Sequence, residues 1–109
     1  MAVQNEARAN ARKILRCPAR VTLADGTALR GRTFDVSMGG LSMMMDNPLP
    51  LGTRCTIAFE ALTGGKTVKI NVAARAIHCA LSGTDGFRIG FQLDRNDEAA
   101  AKSVRQLLT

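Results

Sequence analysis

Arginines recur at every fourth position near the N-terminus of this 109-residue chain, at Arg8, Arg12, Arg16 and Arg20. Arginine is suited to bind phosphate or carboxylate, because its planar, permanently charged guanidinium can donate two parallel hydrogen bonds. On a helix this spacing would place the four side chains on one face, but Pro18 argues against a helix that reaches Arg20. Taken alone, the spacing is more typical of a solvated basic face than of a binding site.

A second group of residues that could bind a ligand lies in the segment 35–40, Asp-Val-Ser-Met-Gly-Gly. Side chains two positions apart on a strand point the same way, so Asp35 and Ser37 would present a carboxylate and a hydroxyl on one side of a strand end. Gly40 has no Cβ and would let the backbone approach a ligand closely, while Gly39 serves the turn. Alone, this segment predicts only a strand that ends in a turn, because these residue types favour turns.

The charge of the chain favours an anionic partner. It carries 15 Lys and Arg against 9 Asp and Glu, a net charge of +6. Residues 1–34 hold seven basic side chains against Glu6 and Asp25, so they account for five of these six positive charges. We therefore expect an anion to bind the N-terminal third of the chain.

The three cysteines, Cys17, Cys55 and Cys79, form an odd-numbered set without a Cys-x-x-Cys pair. This pattern argues against a disulfide framework and a metal site, and it favours a reducing cytosol in which each cysteine is a small buried hydrophobe. No apolar run is long enough to span a membrane, and the N-terminus lacks a signal peptide. We expect a cytoplasmic protein, or the cytoplasmic domain of an inner-membrane protein, with no direct membrane insertion by this segment.

Alternating apolar residues predict an all-β fold of six strands in a single domain, residues 1–109. The strands fall near 19–23, 29–36, 41–45, 55–59, 68–76 and 87–93, with a hairpin at Asp25-Gly26 and Met43 and Met45 facing inward. Six antiparallel strands are enough to close a barrel. After the last strand, the spacing of the apolar residues changes to that of a short amphipathic helix. The predicted parts are a basic arm at 1–17, the barrel at 18–94 and the helix at 96–108.

The order of these features resembles the PilZ domain family of cyclic di-GMP receptors. An arginine pair comes first, roughly twenty residues with one hairpin follow, and Asp-x-Ser-x-x-Gly then stands at a strand end. The resemblance covers nearly the whole chain, including Gly-Phe-Arg-Ile-Gly-Phe at 86–91. Both Arg8 with Arg12 and Arg12 with Arg16 have the Arg-x-x-x-Arg spacing of the family. Pro18 lies at the usual distance from Arg12 and almost touches Arg16, so we assign the motif to Arg8 and Arg12.

The resemblance implies a six-stranded antiparallel PilZ-type β-barrel with a short C-terminal helix, and cyclic di-GMP as a ligand rather than a catalytic cofactor, without a metal. The implied ligand-binding residues are Arg8, Arg12, Asp35, Ser37 and Gly40, with Arg16 and Gly39 as auxiliary members. The arginines suit the phosphates and the O6/N7 edge of guanine, and the carboxylate suits the guanine N1 and N2 hydrogens. The hydroxyl would bind phosphate or a second base edge.

Within the family, the chain looks most like the PilZ segment of bacterial cellulose synthase catalytic subunits. The segments that carry this likeness are Arg-Cys-Pro-Ala-Arg-Val-Thr-Leu-Ala-Asp-Gly at 16–26 and Asp-Val-Ser-Met-Gly-Gly-Leu at 35–41. The likeness implies a regulatory fragment that allosterically activates a covalently linked glycosyltransferase domain in its parent protein. The fragment itself would catalyse nothing.

An enzymatic role and two other binding functions are the alternatives to a receptor. Catalysis is not expected, because the single histidine, His78, lies in the long alternating strand, where it is more typical of a structural residue than of a base with a placed acid or nucleophile partner. A small basic β-barrel suits single-stranded nucleic acid, but the chain has only four phenylalanines and no Trp or Tyr, and Phe59, Phe87 and Phe91 fall on apolar strand faces. The third alternative is a PilZ-like protein interaction module that binds no ligand.

Overall fold

The computed structural model describes residues 12–94 and 96–108, which form a closed antiparallel β-barrel followed by one helix. Its strands are β1 (Lys13–Ile14), β2 (Pro18–Leu23), β3 (Ala28–Val36), β4 (Gly40–Met45), β5 (Arg54–Thr63), β6 (Lys66–Leu81) and β7 (Phe87–Leu93). The helix α1 is Glu98–Leu108. Arg8 and the rest of residues 1–11 lie outside the described part of the chain, as do residues 95 and 109.

Six strands close the barrel in the order β3-β2-β5-β6-β7-β4, and the β3–β4 pairing completes the ring. Neighbouring strands are antiparallel throughout. The all-β, six-stranded barrel with a short C-terminal helix is thereby confirmed. The short strand β1 adds a seventh member that pairs with Val36 and Asp35 of β3. Part of the segment that we assigned to the basic arm therefore lies in the sheet.

The β2–β3 connection forms at the predicted Asp25-Gly26 dipeptide. Gly26 adopts a φ of +91°, and the Asp25 carboxylate accepts a hydrogen bond of 2.8 Å from the backbone N–H of Thr27. Hydrogen bonds from the Thr27 side chain and backbone hold the pKa of Asp25 below its ordinary value. This turn fixes the register of β2 against β3, and β3 carries the polar residues of the site.

The barrel interior is filled by alternate side chains of the long strands, as the sequence predicts. On β6 the buried residues are Val68, Ile70, Val72, Ala74 and Ala76. Met43 and Met45 of β4 are buried as well, whereas Met44 is only partly covered. The apolar face of α1 packs against β6, which places Ala100, Val104 and Leu107 in the core. In the two described ranges, no helix is long and apolar enough to span a bilayer.

Only one of the three cysteines is fully buried. Cys55 lies in the core, whereas Cys17 and Cys79 are half-buried, so the expectation of three buried cysteines is wrong for these two. All three are free thiols. Burial raises the pKa of the Cys55 thiol to about 11, because the low-dielectric interior disfavours the thiolate.

A thiol-labelling experiment should separate these cysteines. At neutral pH an aromatic disulfide reagent should label Cys17 and Cys79 in the native protein, while Cys55 reacts only after unfolding in denaturant. The Cys55→Ala variant should lose the denaturant-dependent thiol and keep the other two. Rapid labelling of three thiols in the native wild-type protein would contradict the burial of Cys55.

Candidate functional site

A β-bulge in β3 brings two consecutive side chains to the outer wall of the barrel. Thr33 pairs with Met43 and Asp35 pairs with Ser42, which leaves Phe34 as an extra residue opposite β4. A bulge interrupts the strict alternation of a strand. As a result, Phe34 and Asp35 both contact arginine side chains on the same outer face. This face is the candidate site.

A second irregularity lies on the other edge of β3, between β1 and β2. The N–H of Leu15 donates a hydrogen bond of 3.0 Å to the carbonyl of Phe34. The N–H of Thr33 donates one of 2.9 Å to the carbonyl of Cys17. Arg16, which lies between Leu15 and Cys17, is therefore an extra residue opposite β3. The buried Thr33 hydroxyl secures this geometry, since it donates to the Leu15 carbonyl and accepts from the Cys17 N–H. Arg16 in turn lies over the Phe34 ring, 4.8 Å from its centroid.

The Asp35 carboxylate is held between two arginines. Its Oδ1 accepts a hydrogen bond of 3.0 Å from Arg12 Nη1, and its Oδ2 accepts one of 3.3 Å from Arg88 Nη2. The Asp35 side chain is 9% exposed, whereas those of Arg12 and Arg88 are 54% and 44% exposed. The carboxylate therefore lies at the base of the site, and the two guanidiniums form its solvent-facing rim.

Arg88 also contacts the neighbouring aromatic ring. Its Cζ lies 4.0 Å from the centroid of Phe34, within the range of a cation–π contact. The site thus combines the guanidiniums of Arg12, Arg16 and Arg88 with one carboxylate. Two positive charges remain uncompensated within this group, which gives the face the electrostatic character of an anion-binding surface.

The β3–β4 connection supplies the remaining predicted residues. The backbone N–H of Ser37 donates to the Gly40 carbonyl at 2.8 Å, and the buried Ser37 hydroxyl donates to the same oxygen at 3.3 Å. Gly39 accepts from the N–H of Leu93 at 3.1 Å, which fixes the connection to β7. A Cβ on Gly40 would lie 3.2 Å from the Phe91 carbonyl oxygen, so close packing against β7 is one reason for glycine at this position.

Lys13, the residue after Arg12, ties this side of the site to the end of α1. Its Nζ donates to the carbonyl of Leu107 and to the hydroxyl of Thr63, each at 3.0 Å. A cation at the C-terminus of a helix also interacts favourably with the helix dipole. The chain segment that carries Arg12 is therefore fixed both to β3 and to the C-terminal helix.

The structure joins Arg12 to Asp35 by an ion pair and Ser37 to Gly40 by hydrogen bonds. Arg16 lies over Phe34 and Gly39 is bonded to Leu93, while Arg8 falls outside the described residues. Sequence reasoning missed Arg88 and Phe34. The alternation in β7 indicated that Arg88 points outward, but no spacing rule links it to Asp35, from which it is separated by 53 positions. Over residues 12–94 and 96–108, no group of three or more His, Cys, Asp or Glu side chains is placed to hold a metal ion.

Comparison with known protein families gives a match to the PilZ domain over residues 6–109. The chain belongs to the PilZ domain family. Among solved structures, it is similar to the PilZ domain of CeSA from a cellulose-synthesizing bacterium, at 27% sequence identity and a TM-score of 0.61. That similarity covers 88% of this chain and 92% of the CeSA chain. None of the curated proteins matches this sequence closely enough to count as a relative.

Two proteins solved with c-di-GMP share the fold at lower identity. The PilZ domain of YcgR from Escherichia coli is 19% identical with a TM-score of 0.66, covering 90% of this chain and 86% of that one. PlzA from Borreliella burgdorferi is 11% identical with a TM-score of 0.59, covering 97% of this chain and 37% of that one. In the present PilZ domain, the Arg12–Asp35 ion pair joins the arginine motif to the Asp-x-Ser-x-x-Gly motif.

Proposed function

We propose that this PilZ domain is a receptor for cyclic di-GMP. The observation that carries the proposal is the buried Asp35 carboxylate held between Arg12 and Arg88 on the outer wall of the barrel. Cyclic di-GMP bears two phosphate charges and two guanine bases, so its binding requires both cations and an acceptor for base N–H groups. The c-di-GMP complexes of YcgR and PlzA, which share this fold, support the assignment.

Each residue of the site has a role that its chemistry allows. Each oxygen of Asp35 accepts one arginine hydrogen bond, and a carboxylate oxygen can accept a second, here from N1–H or N2–H of guanine. Arg8 and Arg12 would bind phosphate or the O6/N7 edge of guanine. Ser37 would turn its hydroxyl to a phosphate, and the glycines at 39 and 40 would let the ligand approach the backbone.

In this proposal the domain is regulatory rather than catalytic, and its parent protein is a bacterial cellulose synthase located at the inner membrane with the PilZ domain in the cytoplasm. The support is the 27% identity to the PilZ domain of CeSA. Binding of cyclic di-GMP would then activate a covalently linked glycosyltransferase domain. In membranes that contain the full-length parent, the Arg12→Ala protein should need about ten- to a hundredfold more cyclic di-GMP for half-maximal glucan synthesis.

The receptor function is tested by calorimetric titration of the domain with cyclic di-GMP. We expect saturable binding by the wild-type domain and roughly ten- to a hundredfold weaker binding by Arg12→Ala. The reason is that one charge-assisted hydrogen bond contributes about 1.5–3 kcal/mol. A matched control is Arg20→Ala, which removes the same charge from β2, where the backbone pairs with Arg30 rather than with the site.

Arg20→Ala should bind within about twofold of the wild type, since its charge acts on the ligand only through screened solvent. Equal losses in both variants would mean that binding depends on net charge alone, which contradicts the assigned site. Absence of binding by the wild-type domain would contradict the receptor function. Oligonucleotides and protein partners would then be tested, because a basic barrel and a ligand-free PilZ module are the alternatives.

A further inference from the structure

Neither Arg88 nor Phe34 is among the ligand-binding residues that the family resemblance implies, yet both lie within the candidate site. We propose that they form a stacking platform for one guanine base of cyclic di-GMP, an inference that rests on the receptor function proposed above. Of the arginines in the described ranges, Arg16 and Arg88 are the two that lie over an aromatic ring, and both lie over Phe34. Arg88 has the shorter distance, 4.0 Å against 4.8 Å.

The geometry of Arg88 suits one stacked base. A guanidinium is planar and has two faces, and the contact with Phe34 occupies one of them. The side chain is 44% exposed, so part of it remains accessible to a ligand. Arginine planes stack on nucleobases by dispersion and by cation–π attraction. The guanidinium would then lie between the fixed phenylalanine ring and the guanine.

The hydrogen bond from Arg88 to Asp35 orients the guanidinium of this platform. Arg88 Nη2 donates to Asp35 Oδ2 at 3.3 Å, which limits rotation of the guanidinium about its stem. The bulge sets Phe34 and Asp35 next to each other on the same outer face, so a base stacked on Arg88 lies beside the carboxylate. Stacking and readout of the base edge would therefore act on the same guanine. A lysine at 88 would keep the charge but lose the plane.

The platform is tested with four variants and cyclic di-GMP as the probe. Arg88→Ala should bind roughly ten- to a hundredfold more weakly than the wild type, because stacking on one base has an effect of that size. Arg88→Lys should lose about tenfold although the charge remains, and Phe34→Leu should lose severalfold. The loss of guanine absorbance that accompanies stacking should shrink in all three. The control Arg54→Ala lies on β5, which borders none of β3, β4 and β7, and should bind within about twofold.

The outcomes separate the platform from the receptor function. If the wild type binds and Arg88→Lys binds as tightly, with an unchanged absorbance loss, stacking is overturned and Arg88 acts as a charge only. If Arg88→Ala binds like the wild type, the platform is overturned altogether. Should Arg88→Ala fail to fold, as judged by circular dichroism, the Arg88→Lys and Phe34→Leu titrations decide the question. Failure of the wild type to bind cyclic di-GMP would instead overturn the receptor function.

Discussion

Replacing Asp35 with alanine should weaken cyclic di-GMP binding at least about a hundredfold. Asp35 is the one carboxylate of the site, and we assign it two hydrogen bonds to the guanine N1 and N2 groups, each of which contributes about 1.5 kcal/mol or more. Its removal also frees Arg12 and Arg88 from the positions in which the carboxylate holds them. Calorimetric titration of wild type and variant under the same salt conditions measures the effect.

The domain should stay folded in this experiment. Arg12 and Arg88 are about half exposed, so water can solvate both once the carboxylate is gone, and the substitution leaves no unpaired charge buried. A matched control is Asp46→Ala, which removes an exposed carboxylate after β4 and should leave binding unchanged. Undiminished binding by Asp35→Ala would show that the base edge is read elsewhere.

The barrel follows from the sequence because strand alternation is a local property. In β6, apolar and polar residues alternate from Val68 to Ala76, and the structure buries the apolar set. The same reasoning places Met43 and Met45 inside the barrel. Strand β1 could not be predicted, because two residues are too few to show the alternation of a strand. Its pairing depends on β3, a long-range partner.

The site is only partly predictable for a related reason. Asp35, Ser37 and Gly40 lie close in sequence, so one strand end and one turn bring them together. Arg88 joins them only because β4 pairs with both β3 and β7. The contact further requires that Phe34 be the extra residue of a bulge. A one-residue shift of register cannot be detected in the composition or the periodicity of a single sequence.

The contact between Lys13 and the C-terminal helix also depends on residues that are distant in the sequence. Lys13 follows Arg12 directly and binds both the end of α1 and Thr63. A hydrogen bond between positions 13 and 107 could not be anticipated from the helix pattern alone.

The loop before β7 should be the most sensitive point of the backbone, with Gly86→Ala lowering the free energy of unfolding by about 3 kcal/mol. Gly86 has a φ of +95°, which costs an L-residue about 1–2 kcal/mol. In addition, a Cβ would lie 2.4 Å from the Met45 carbonyl oxygen, so the backbone of β4 or of the loop must move. Arg88 lies two residues later, and the same shift should also weaken ligand binding.

Gly83→Ala in the same loop separates the two causes. Gly83 also has a positive φ, +55°, but an added Cβ would meet no atom within 4 Å. This variant should therefore lose only about 1 kcal/mol, the conformational cost without the steric one. Urea denaturation of both variants beside the wild type measures the difference, with equal slopes as the condition for comparing midpoints. If both substitutions lowered the free energy of unfolding equally, the added Cβ at position 86 would avoid the Met45 carbonyl at no cost. The close approach of the loop to β4 would then contribute nothing to the placement of Arg88.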